Sequence, residues 1–176
     1  MPGGGVALGV LLLITILPHS IADVDLSADS IQIESTASGD QVTATTGVAV
    51  FEQTADYDFS VTLEQWRNGQ LISTSTTTFN ADIGQSILCD ESCKVSLCTA
   101  TCRVLYGNGT VVFGSCKNHF ICPDKPEFQT CQCIHEAPVT QFLVLITGDV
   151  LRMTVTPGST TSDPDMSNNV REVTVP

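Results

Sequence analysis

Hydrophobic and polar positions alternate with a period of two along most of the chain beyond residue 22, the spacing of strands with one buried face. Val24, Leu26 and Ala28 alternate with polar neighbours. The phase then slips to Ile31 and Ile33, which predicts a bulge or kink near Asp29-Ser30. Ser38-Gly39-Asp40 predicts a turn, and Val42, Ala44, Val48 and Val50 carry the next strand across Gly47. Phe59, Val61 and Leu63 lead into Arg67-Asn68-Gly69-Gln70, a hairpin signal because Asn-Gly accepts the positive φ angles of a tight turn. In that register Trp66 pairs with Leu71, and Ile72 returns on the face of Leu63. Ser73 to Thr78 is polar but rich in Thr, a strand with a wet face.

Val104-Leu105-Tyr106 and Thr110 to Phe113 flank Gly107-Asn108-Gly109, a second hairpin signal. Phe142 to Ile146 predicts a continuous apolar strand, turned by Thr147-Gly148-Asp149. Leu151, Met153 and Val155 face one way in the strand after it. Pro157 to Asn169 is a long turn-rich connection, and Val173 and Val175 mark a last strand. No segment of useful length shows helical period. Short strands at this spacing predict an all-β fold of two packed antiparallel sheets.

The first residues break this pattern. Val6 to Leu17 is an apolar block of 12 residues, followed by Ser20-Ile21-Ala22. A bilayer-spanning helix needs about 20 residues. The block has the length of a secretory leader's core, and small residues stand where signal peptidase cleaves. The leader region carries no Lys or Arg. The expectation is a leader at 1–22 and a mature domain at 23–176. No second run reaches spanning length and the chain ends polar, so the expected product is secreted, extracellular and free of membrane insertion.

An oxidising destination changes the meaning of the eight cysteines, Cys89, Cys93, Cys98, Cys102, Cys116, Cys122, Cys131 and Cys133. An even set of this kind reads as a disulfide framework confined to 89–133. Cys102 and Cys116 lie nearly symmetrically about the second hairpin, which suggests a bridge closing its base. Cys131 and Cys133 share one face of any strand and should reach different partners. Cys93-x4-Cys98 and Cys131-x-Cys133-x-His135 also resemble metal-ligand clusters. Paired Cys-x2-Cys units are lacking, so no metal site is assigned.

Composition narrows the chemistry. The net charge is −12, from 19 acidic and 7 basic residues, and such a surface repels nucleic acid phosphates. Residues 89–133 are the exception, with Lys94, Arg103, Lys117 and Lys125 balancing Asp90, Glu91, Asp124 and Glu127. Outside the leader the only histidines are His119 and His135. No nucleophile elbow, His-Glu-x-x-His or phosphate loop occurs, so no catalytic residue, enzyme activity or cofactor is expected. Asp163-Pro-Asp165-Met-Ser-Asn168-Asn169 fails as an EF-hand because Asn168 stands where Gly is required and Thr174 where Glu is required. It reads as a turn, with weak calcium binding by this loop or by Asp23 and Asp25 as the alternative. Asn108-Gly109-Thr110 is an N-glycosylation sequon at an expected hairpin tip.

Several stretches together resemble the immunoglobulin-like CARDB repeats, a cell-adhesion-related family. These are Asp23-Val-Asp-Leu26, Gly39 to Ala44, Phe59 to Ile72, Leu151 to Pro157 and the pair Asn168-Asn169. The resemblance covers about residues 23–88 and 139–176. It implies an immunoglobulin-like antiparallel β-sandwich, interrupted here by a disulfide-rich inserted loop and hairpin region at 89–133. It implies binding or display only by analogy.

Three functions compete on these grounds. The first is a secreted binding module that meets an extracellular protein or polymer through its Cys-rich region, which carries Tyr106, Phe113, Phe120 and Phe128. The second is an acidic, weakly calcium-binding matrix protein. The third is a Cys-rich inhibitor or defence protein.

Overall fold

The computed structural model describes residues 21–51, 56–81, 100–117 and 132–176. Most of the expected leader lies outside these residues, as do Cys89, Cys93, Cys98, Cys122, Cys131, His119, Phe120 and Phe128. Ten strands are described: β1 (Ala22–Thr36), β2 (Gly39–Phe51), β3 (Tyr57–Arg67), β4 (Gln70–Ala81), β5 (Ala100–Leu105), β6 (Val111–Lys117), β7 (Gln132–Leu143), β8 (Val150–Pro157), β9 (Thr161–Ser162) and β10 (Val170–Thr174). One sheet has the order β5-β6-β7-β2-β1-β9 and the other the order β10-β8-β3-β4. Every neighbouring pair is antiparallel except the short parallel contact of β1 with β9. The all-β, two-sheet expectation therefore holds.

The period-two pattern explains why these strands form and where the core lies. Val24, Leu26, Val42, Ala44, Val48 and Val50 from one sheet pack with Phe59, Val61, Leu63, Phe79, Leu151, Met153 and Val155 from the other. The expected phase slip is a register shift between Ala28 and Ser30, which returns Ile31 to the buried face. Gly47 continues β2 without interruption. A Cβ there would run into the side chains of Asp29 and Ser27 on β1. Asn68 and Gly69 take φ angles of 51° and 77° at the β3–β4 turn, as its Asn-Gly pair predicts.

Two strand expectations need correction. Trp66 does pair with Leu71, but a bulge between Gln65 and Trp66 makes Ser73, not Ile72, follow as the partner on that side. The extra residue turns Ile72 outward, leaving it exposed while Leu63 is buried. Phe142 to Ile146 is not a continuous strand either. β7 ends at Leu143, and Phe142, Val144 and Ile146 are exposed. Backbone groups of this segment are taken by side chains instead: Gln65 Nε2 donates to Val144 O at 3.0 Å, and Leu145 N donates to Asp40 Oδ2 at 3.2 Å.

Part of the Cys-rich stretch is woven into the fold. β5 and β6 belong to the larger sheet, and Val104, Tyr106 and Cys133 belong to the common core. The sheets also touch at a corner, where Ala81 bridges to Tyr106 and Gly107 N donates to Asn80 O at 2.8 Å. Ala22, at the end of the expected leader, is buried in β1, and its N–H donates to Thr160 O at 2.9 Å.

Candidate functional site

The corner between the sheets gathers a buried cluster of two tyrosines and a histidine. Inward alternation on β3 buries Tyr57, the end of β5 delivers Tyr106, and β7 delivers His135. Tyr106 Oη lies 2.6 Å from His135 Nε2, and Tyr57 Oη lies 3.5 Å from Tyr106 Oη and 3.4 Å from His135 Nε2. The rings of Phe59 and Phe79 stack with centroids 4.9 Å apart, and Tyr106 meets Phe79 edge-on at 5.0 Å.

Burial sets the protonation states. It lowers the His135 pKa to about 4 and pushes both phenols above their usual value. All three groups are neutral at pH 7. At 2.6 Å Tyr106 Oη and the neutral imidazole share one short hydrogen bond, and His135 Nδ1 lies 3.7 Å from Cys133 Sγ. The result is an uncharged polar knot joining β3, β5 and β7.

Above the knot opens a cleft of about 550 Å³. Asp56, Tyr57, Asp58, Asn80 and Ala81 form one wall, Leu105, Tyr106, Gly107 and Gly109 the other, and Thr160 closes one end. The hairpin wall is well defined. Gly109 N donates to Tyr106 O at 2.8 Å, Tyr106 N donates to Thr110 O at 2.9 Å, and Gly109 has φ of 85°. This is a three-residue turn with glycine in the left-handed position. Asp58 secures the far wall, accepting from Thr160 N at 2.9 Å, Thr160 Oγ1 at 2.5 Å and Ser159 N at 3.3 Å. Burial opposes its ionisation, but those hydrogen bonds prevail and hold its pKa below the usual value. Gly158 is required beneath it, because a Cβ would overlap the Asp58 carboxylate.

No family model, no curated protein and no solved structure matches this chain. Asn108 stands exposed at the hairpin tip beside the cleft, its Oδ1 accepting from Thr110 N at 2.9 Å. Phe113 is exposed on β6, whereas Tyr106, expected on the recognition surface, is buried beneath the cleft. Among the described residues no three acidic, histidine or cysteine side chains converge as metal ligands, and no helix is long and apolar enough to cross a membrane. Cys102, Cys116 and Cys133 are brought to adjacent strands, with Cys116 directly opposite Cys133 and Cys102 opposite Gly114.

Sequence reasoning passed over Tyr57, Asp58, Gln65 and Asp149. A signal existed for Gln65, since it continues the inward phase of Phe59, Val61 and Leu63. Tyr57 continues that phase backwards. Little in the local sequence distinguishes Asp58 or Asp149, because their side-chain partners Thr160, Gln65 and Arg67 lie far along the chain.

Proposed function

We propose that this chain is a secreted, disulfide-stabilised recognition module, with an immunoglobulin-like sandwich as scaffold and the corner cleft as binding surface. The observation that carries the reading is the composition of the cleft: one wall comes from the sandwich and the other, Leu105 to Gly109, from the Cys-rich stretch. A cleft with an aromatic floor and a few polar groups at its rim suits a segment of an extracellular protein or polymer.

Strand order supports the scaffold. β1-β2-β7 and β4-β3-β8-β10 follow the A-B-E and C′-C-F-G neighbours of immunoglobulin domains, in keeping with the resemblance to CARDB repeats. β5 and β6 add to the first sheet beyond the E position. The oxidised framework is supported by Cys133, which is disulfide-bonded. Stapling the hairpin wall lowers the ordering cost of binding. A glycan on Asn108 would frame the cleft.

Deleting the Cys-rich stretch would remove core residues, so the test is a point substitution. Gly107→Arg fills the cleft, and its Cβ would meet Asn80 only at ordinary contact distance, 3.7 Å. Immobilised mature protein should retain a ligand from extracellular fluid that Gly107→Arg fails to retain. Thr76→Arg, on the far face of β4, should retain it as the unaltered chain does. Equal capture by all three proteins would dismiss the cleft as the recognition surface.

A further inference from the structure

A second site lies away from the cleft, where β1 meets the loop after β9. The 3-10 turn Met166–Asn168 is capped by Asp165, which accepts from Ser167 N at 3.0 Å. Asp163 accepts from Asp165 N at 3.1 Å and from Asn169 Nδ2 at 2.7 Å. Asn169 Nδ2 also lies 3.3 Å from Met166 Sδ, and Asn168 Nδ2 reaches Asp25 Oδ1 at 3.4 Å. These contacts orient both amides, because turning either one over would set its oxygen against a carboxylate. Each amide oxygen is left without a partner. Asn168 Oδ1 and Asn169 Oδ1 are both shut off from solvent, and Asn169 as a residue is only 2% exposed.

We propose that this junction binds one calcium-class divalent cation, with Asn168 Oδ1, Asn169 Oδ1 and the carboxylates of Asp25 and Asp163 as its protein ligands. A buried carbonyl oxygen needs a donor or a cation. The neighbouring side-chain oxygens of Asp25 and Asp163 are themselves acceptors and cannot satisfy the orphan oxygens, whereas a cation between them would. Covalent geometry places each orphan oxygen one amide's width from a nitrogen already touching a carboxylate. Calcium suits the set because it takes 6–8 oxygens, amide carbonyls included, in irregular geometry, whereas magnesium demands a near-ideal octahedron. With two carboxylates in the shell, affinity falls in the range of extracellular modules, about 10⁻⁴–10⁻³ M. The site joins two acidic stretches, Asp25 and the Asp163 loop, that lie far apart in sequence.

The test uses the full mature protein after chelator treatment. Calorimetric titration with calcium chloride should show one saturable site. The Tm should rise by about 3–6 °C at ten times the Kd, beyond a sodium chloride control of equal ionic strength. Magnesium should act at least tenfold more weakly. Asp25→Asn keeps the oxygen that accepts from Asn168, so it preserves the fold, and it should weaken calcium at least tenfold. Asp163→Asn should do the same. Absence of a saturable calcium response, or an unchanged response in Asp25→Asn, would overturn the proposal and assign the orphan oxygens to buried water.

Discussion

His135 shows how much one residue's meaning depends on its surroundings. Beside two cysteines in the sequence it resembles a ligand or a lone packing residue; in the fold it is 3% exposed and hydrogen-bonded to Tyr106. Its pKa falls from 6.5 to about 4 through burial. The unfolded chain therefore takes up a proton at a higher pH than the folded one. The contribution of neutral His135 is complete above pH 6.5, is lost as pH falls towards 4, and changes no further below that. The full loss is about 3 kcal/mol. Denaturant melts between pH 7.5 and 4 should show that slope in the unaltered protein and lose most of it in His135→Gln. An NMR titration of the His135 ring with a midpoint near 6.5 would contradict the burial argument. Thr46 makes a related point: its buried hydroxyl has no partner, and only its place on the inward phase of β2, between Ala44 and Val48, hinted that it would be enclosed.

At the level of elements, hairpins were the most legible part of the chain. Asn68-Gly69 and Gly107-Asn108-Gly109 both form turns because positive φ is a local requirement that glycine and asparagine meet without tertiary help. The bulge at Ala28/Ser30 was equally visible as a slip of phase. Ile72 was misplaced because one bulged residue reverses every later side chain, and the bulge follows from packing rather than composition. Register also bears on the cysteines. Directly opposed strand residues have Cα atoms about 4.5–5.5 Å apart, within disulfide reach, whereas diagonal neighbours lie at about 7–8 Å. Cys116 is opposed by Cys133 and stands diagonal to Cys102. Peptide mapping under non-reducing conditions should therefore recover a Cys116–Cys133 bridge. Recovery of Cys102–Cys116 would show that closure of the hairpin base outweighs cross-strand register.

Across the whole molecule, Asp149 clasps β3, the loop between β7 and β8, and the C-terminus. It accepts from Arg67 Nε at 2.8 Å, Arg67 Nη2 at 2.9 Å, Gln65 Nε2 at 2.7 Å and Ile146 N at 3.1 Å, while its backbone carbonyl accepts from Val175 N at 2.8 Å. The Arg67 guanidinium holds its carboxyl well below the usual carboxylate range, with Gln65 and Ile146 adding to the effect against the cost of burial. Its stabilising contribution is present above pH 3.8 and is lost only as pH falls below that value, a window separate from that of His135. Asp149→Ala should lower the Tm by roughly 5–10 °C at pH 7, since it strips a buried group of its partners. Arg152→Ala, which breaks the exposed pair with Glu172 at 2.7 Å, should change it by less than about 3 °C. Similar losses in the two variants would refute the clasp.

Alternation and turn chemistry were enough to determine the all-β class, the buried face of most strands and the sites of the hairpins, because these depend on neighbours two to four residues away. Which strands lie side by side was decided only in three dimensions. So were the meeting of Tyr57, Tyr106 and His135, the placing of β5 and β6 in the larger sheet, and the joining of Asp25 to the Asp163 loop. Those contacts span about 30 to 140 residues of chain, and no local rule connects residues that only the packing of two sheets brings together.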